Sequence, residues 1–227
     1  MESVMAKNSN GLGLALIFSI TTALAGCSGN SDELDEKLTH SASITLVNSW
    51  SSMADLHVAK RSFDSGYSGL FDTDNLVSPD VPVNEVGEPY LYSYKAINNI
   101  VNLGIRDSIN KNNEQRITKT LTNGEKLWVI AWEESSSKKL SVVTRAQHNK
   151  SDAFNVRLFA DGNYAVFVDS NNVLNAEKGK VTPYLEINNC ANSLKVADIA
   201  IDLCAAELGA SYLLIVDRNG SNVIVAE

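Results

Sequence analysis

The residues best suited to chemistry in this chain are its three cysteines, Cys27, Cys190 and Cys204. Cys27 stands directly after an uncharged apolar run and before an acidic stretch, "SGNSDELDEKLTHSA" (Ser28–Ala42). In an antiparallel hairpin, paired residue numbers share a constant sum. Cys190 and Cys204 are equidistant from Ala197, so a turn at Val196–Asp198 would set them face to face. An oxidising compartment would permit a disulfide there. Two buried free thiols are the alternative.

Other chemistries find less support. The three histidines are His40, His57 and His148, and none pairs with another His or a Cys at metal-ligand spacing. "SGYSG" (Ser65–Gly69) lacks the Gly-x-Ser-x-Gly order of a nucleophile elbow. Glu133 and Glu134 fall at a turn signal, where carboxylates are ordinarily solvated. The segment Arg61–Glu88 gathers more: Tyr67 and Phe71 beside Asp64, Asp72, Asp74 and Asp80. Asp72-Thr73-Asp74-Asn75 could offer alternating oxygen ligands to Ca²⁺, although no Gly and distal Glu follow at EF-hand spacing. Tyr67 and Phe71 could stack on a sugar or peptide. The plainer alternative is a solvated insertion with both rings tucked onto the body. No cofactor is called for. The expectation is a non-catalytic protein; an envelope hydrolase, for example on glycans, using residues 61–88 is the competing one.

Charge limits the partners. The chain has 227 residues and a net charge of -8, with 27 acidic against 19 basic side chains. No basic stripe is present to neutralise phosphates, which argues against nucleic acid. The same balance argues against docking on anionic lipid by charge alone.

Gly11–Leu24 ("GLGLALIFSITTAL") is too short to span a bilayer comfortably and fits the apolar region of a secretory signal peptide. Leu24-Ala25-Gly26-Cys27 then resembles the lipobox of bacterial lipoproteins. That resemblance implies cleavage before Cys27, a diacylglyceryl thioether on its sulfur and acylation of its new amine. Several acyl chains together anchor stably where one is marginal. In lipoproteins of enteric-type bacteria an Asp after the cysteine is similar to an inner-membrane retention signal. Ser28 stands there instead, which implies the outer membrane, facing the periplasm or the surface. Residues 28–42 read as a flexible tether, or as a surface-export signal built on their acidic residues.

Twelve short segments after the tether are rich in β-branched and aromatic residues, several with period two. Six run from "SITLVN" (Ser43–Asn48) to "KLSVVT" (Lys139–Thr144), and six from "FNVRLFA" (Phe154–Ala160) to "NVIVA" (Asn222–Ala226). Outside the signal peptide no long helical period occurs, so the expected class is an all-β sandwich. Pro89-Tyr90-Leu91 recurs as Pro183-Tyr184-Leu185, and Ile97-Asn98-Asn99 as Ile187-Asn188-Asn189. Gly124–Val143 aligns with Gly209–Ala226. Matches in one order point to duplication. The expected layout is a signal peptide (1–26), a tether (27–42) and two β-sandwich modules (43–146 and 153–227).

Ala54-Asp55-Leu56-His57-Val58 and Gly209-Ala210-Ser211-Tyr212-Leu213 resemble the opening and closing strands of a family of bacterial extracytoplasmic domains of unknown function. That family consists of immunoglobulin-like sandwiches, often in tandem. Here "SWSSM" (Ser49–Met53) replaces the family's Pro-rich loop, and no Asp precedes Val166. The resemblance implies a fold and no activity. Together these features describe a lipid-anchored envelope protein, held to the membrane through Cys27, whose partner would be an envelope glycan or protein.

Overall fold

The computed structural model describes residues 38–227 except 62, 63, 65 and 149. Cys27, the signal peptide and the tether as far as residue 37 lie outside the described residues.

The chain is all-β, with four sheets in β-sandwich-like pairs. Its first half contains β1 (Thr39–Asn48), β2 (Ala54–Lys60), β3 (Leu76–Val81), β4 (Glu85–Val86), β5 (Tyr90–Lys95), β6 (Ile100–Asp107), β7 (Gln115–Thr120), β8 (Lys126–Glu134) and β9 (Ser137–Thr144). The second half contains β10 (Phe154–Ala160), β11 (Tyr164–Val168), β12 (Asn171–Ala176), β13 (Leu185–Ile187), β14 (Leu194–Val196), β15 (Ile199–Ile201), β16 (Ser211–Asp217) and β17 (Gly220–Ala226). One sheet of the first half runs β4-β1-β8-β9, with β5 also on β1, and the other runs β3-β2-β6-β7. In the second half the orders are β13-β10-β16-β17 and β12-β11-β14-β15. Each half has one parallel pair, β1 with β8 and β10 with β16.

Side chains alternate across a strand, so each sheet presents two faces. Leu127, Val129 and Ala131 of β8 enter the first core with Ile44, Leu56 and Leu103. Tyr212, Leu214 and Val216 of β16 enter the second with Val156, Leu158 and Val196. The opposite faces of the same strands are also buried. Trp128, Ile130 and Trp132 of β8 meet Phe159, Leu213, Ile215, Val223 and Val225 in a third core between the halves. The four sheets therefore stack as layers, and the two central ones have no solvent face over this area. This double burial accounts for the unbroken apolar runs "LWVIAW" and "YLLIV", since a strand covered on both sides has no place for polar alternation.

A polar clamp closes one edge of the junction. The Glu227 carboxylate, with a fully buried side chain, accepts hydrogen bonds from Trp128 Nε1 (3.1 Å) and Tyr184 Oη (2.7 Å) and pairs with the Arg157 guanidinium. Arg145 lies over the Trp128 ring at 4.2 Å and donates to the Ala226 carbonyl at 3.0 Å. His148, between the halves, donates its backbone N–H to Ser211 Oγ at 2.9 Å. The connecting segment is thus pinned to both halves.

Several boundaries differ from the sequence reading. β1 begins at Thr39, inside the stretch read as tether, because β5 is there to pair with it. Residues 61–88 are not one open insertion: β3 pairs with β2, and β4 with β1. β3 contains Pro79, which lacks a donor N–H and is suited to an edge strand. Cys190 and Cys204 form a disulfide, with Cα atoms 4.7 Å apart. The nearby hairpin is one residue out of the expected register. Its ladder runs Leu194↔Ile201 to Val196↔Ile199, so the turn is the two residues Ala197 and Asp198, both at positive φ (49° and 68°). That backbone matches a two-residue hairpin turn of the mirror-image type, for which Asn-Gly is the usual sequence.

Two measurements check this fold. Phe159 is fully buried, with its ring edge-on to Trp132 at 5.7 Å. Phe159→Ala should cost about 3–5 kcal/mol in urea unfolding; a change within the noise would mean that the third core does not hold the halves together. Removing the disulfide by Cys190→Ser should cost about 3 kcal/mol for so short a loop, read as a fall in the unfolding midpoint.

Candidate functional site

The segment that sequence reading favoured lies against the outer face of the sheet β3-β2-β6-β7. Leu70 is fully buried, and Phe71 is half-buried with its ring edge-on to His57 at 5.2 Å. Both reach the sheet because Gly104 of β6 has no side chain: a Cβ there would sit 2.8 Å from Leu70 Cδ2 and 2.9 Å from Phe71 Cε1. Tyr67 is half-buried beneath the Arg116 guanidinium (5.1 Å), and its hydroxyl meets Thr118 Oγ1 at 3.0 Å. Asn102 Nδ2 donates to the Gly66 carbonyl at 2.7 Å. Asp72 and Asp74 are exposed in and beside the 3₁₀ turn Thr73–Asn75. Among the described residues no group of three or more His, Cys, Asp and Glu side chains is placed to hold a metal ion.

Two groups under this cover had no assigned role in the sequence. Asp55 is buried, accepts the Asp80 backbone N–H at 3.0 Å and takes an ion pair from Lys111 at 2.9 Å. It holds the end of β3 on the sheet. His57, next but one along β2, is fully buried with neither ring nitrogen hydrogen-bonded. Burial, then the charge of Arg106, holds its pKa down at about 4; Asp55 and the nearby Asp72 backbone oppose this, and Lys111 adds to it.

A second site lies at the end of the first half where β1 begins. Tyr90, Tyr92 and Tyr94 occupy alternate positions of β5, so their rings share one face. Tyr92 and Tyr94 stack at 6.1 Å with planes 21° apart, and His40 abuts Tyr94 edge-on at 5.7 Å. Burial pushes both phenols up, and the Tyr94 hydroxyl is buried without a hydrogen-bond partner. Beside these rings opens a cleft of about 330 Å³, lined by Thr39, Lys60, Tyr92, Ser93, Lys95 and Asn98 together with Tyr94. Its volume is at the lower end for small-ligand sites. Among the described residues no carboxylate lines it. The lining can bind: it has a half-buried aromatic face, the Lys60 ammonium and neutral hydrogen-bonding side chains, while Lys95 Nζ donates to Thr39 Oγ1 at 3.0 Å. Sequence reading identified "PYLYSYKAI" only as a strand. Tyrosine at every second position leading into Lys95 was the available signal.

Two other clefts have structural explanations. Glu133, Asp161 and Asp217 line one of about 260 Å³ at the junction. Each carboxylate there already has a local partner: Glu133 accepts from Ser51, Asp161 from Tyr164 Oη and Asp217 from the Asn219 backbone. Another, of about 560 Å³, runs along Asn123, Lys126, Arg145 and Glu227 beside the clamp already described.

The chain matches no protein-family model and no curated protein sequence.

The buried histidine gives a pH test. Its folded pKa is below the ordinary value of 6.5, so the unfolded chain takes up the proton first. Stability should therefore fall as pH drops from about 6.5 towards 4, by about 2–3 kcal/mol. Asp107 acts in a separate, lower window. Backbone N–H donation from Asn110 foremost holds its carboxyl down at about 2, so its contribution is lost only below the ordinary carboxylate range. Urea unfolding of wild type and His57→Leu across pH 7 to 4 checks the assignment. The wild-type curve should drop relative to the variant's, and parallel curves would remove His57 as the cause.

Proposed function

We propose that this chain is a bacterial lipoprotein, anchored in the outer membrane through lipid on Cys27. Its two immunoglobulin-like sandwiches in tandem act as a non-catalytic binding or structural body in the cell envelope. The observation that carries the reading is the tyrosine cleft. Its lining offers stacking, positive charge and neutral hydrogen bonding, and it sits at the root of the tether. Two further features support the reading. The strand orders of the two halves correspond, as duplicated modules would, apart from one extra strand on β1 in the first half. The Cys190–Cys204 disulfide suits an oxidising compartment beyond the inner membrane.

Residues 61–88 take a supporting part in this reading. Tyr67 and Phe71 are spent on packing against β6 and β7, and Asp72 and Asp74 stand on the outside of that cover. The partner is an envelope component that meets the cleft.

Labelled palmitate tests the anchor. Wild type should incorporate it and fractionate with membranes, and Cys27→Ala should do neither. Equal incorporation by both proteins would rule the anchor out.

A further inference from the structure

Where the chain enters the described body, apolar side chains face solvent. Leu38 is 52% exposed and Ile97 is 88% exposed. They are neighbours, because the Ala96 backbone N–H donates to the Leu38 carbonyl at 2.9 Å. The tyrosine cleft opens beside them, with Tyr92 half-buried and Lys60 and Lys95 among its lining residues. This is the combination found at a membrane interface. Apolar tips reach the acyl boundary, a tyrosine ring sits at headgroup level, and lysine stems lie along apolar surface with their charge in the polar layer.

The sequence places this patch close to the anchor. Ten residues lie between Cys27 and Leu38, a span of eleven residue steps. Such a length spans at most about 38 Å. Within that reach the local concentration of bilayer is high, so a contact too weak to recruit a free protein is enough to orient a tethered one.

From these observations we infer that the Leu38–Ile97 end of the first sandwich seats on the phospholipid bilayer that holds the lipid on Cys27. Leu38 and Ile97 enter the interface, and the tyrosine cleft with Lys60 receives phosphate headgroups. The inference rests on the lipoprotein reading above and names the partner of its site. The β6–β7 turn then points away from the membrane. β6 starts at Ile100, close to Asn98, and runs to Asp107, roughly 23 Å away at strand rise.

The cysteine inventory makes the test clean. With Cys27 acylated and Cys190 bonded to Cys204, a thiol introduced by Ile97→Cys is the only free one. The full lipidated protein carrying this change would be labelled with a fluorophore. It would then be reconstituted into phosphatidylcholine and phosphatidylglycerol vesicles containing a nitroxide lipid. Leu38→Cys is a second reporter on the seat, and Asn110→Cys, exposed in the β6–β7 turn, is the distal control. Quenching at positions 97 and 38 should exceed that at 110 by about threefold or more, as expected for a label at the acyl boundary against one in water. Equal quenching at all three positions in membrane-borne protein overturns the seat and leaves the anchor standing. Protein that fails to partition with membranes at all overturns the anchor and the seat together.

Discussion

Burial of β8 and β16 on both faces is the constraint on which the rest of the structure depends. A β-sandwich-like half of this size usually keeps one face of each sheet in water. Here Trp128, Ile130 and Trp132 on one strand and Leu213 and Ile215 on the other leave no polar option for the outer faces of two sheets. Either half alone would expose a contiguous apolar patch of the kind that marks an interface. The parallel pairs β1–β8 and β10–β16 put these strands at the centre of their sheets, where such runs belong. The Glu227 clamp and the pinned segment around His148 follow from the same docking.

With the broad inner faces occupied, function is left to the outer faces and the ends. The outer face of β3-β2-β6-β7 is partly covered by Leu70 and Phe71, which lies against His57, while Asp80, Arg106 and Lys111 enclose Asp55. Such polar burial is tolerated when partners are supplied, as for Asp55, and is costly when they are not, as for His57. The end bearing Tyr92, Lys60 and Ile97 has no comparable cover among the described residues. It combines exposed apolar side chains with an open cleft close to the tether.

Much of the strand inventory was legible in the sequence, because Ala54–Lys60, Phe154–Ala160 and Ser211–Asp217 carry the apolar and β-branched pattern without interruption. Strands that interrupt it were not. β3 contains Pro79, and β12 is the polar edge strand "NNVLNA". β6 was concealed by Asn102 and Gly104, whose roles depend on a segment some thirty residues earlier in the chain. The cysteine pairing was correct although the ladder is one residue out of the register assumed for it, because the disulfide lies beyond the ladder's last pair. Its turn was read one residue wrong, because Ala197 and Asp198 adopt a backbone usually signalled by Asn or Gly. The third core was out of reach for a different reason: an apolar run shows that both faces of a strand are covered, and not by what. The tyrosine cleft needed β5 and the end of β2 to be brought together, which no local pattern encodes.

Scanning calorimetry of the purified protein with its disulfide intact tests the stacked body most directly. If the third core makes the two halves one cooperative unit, unfolding gives a single transition whose calorimetric and van't Hoff enthalpies agree. Two resolved transitions, each with its own van't Hoff enthalpy, would show two independently stable sandwiches and contradict the account.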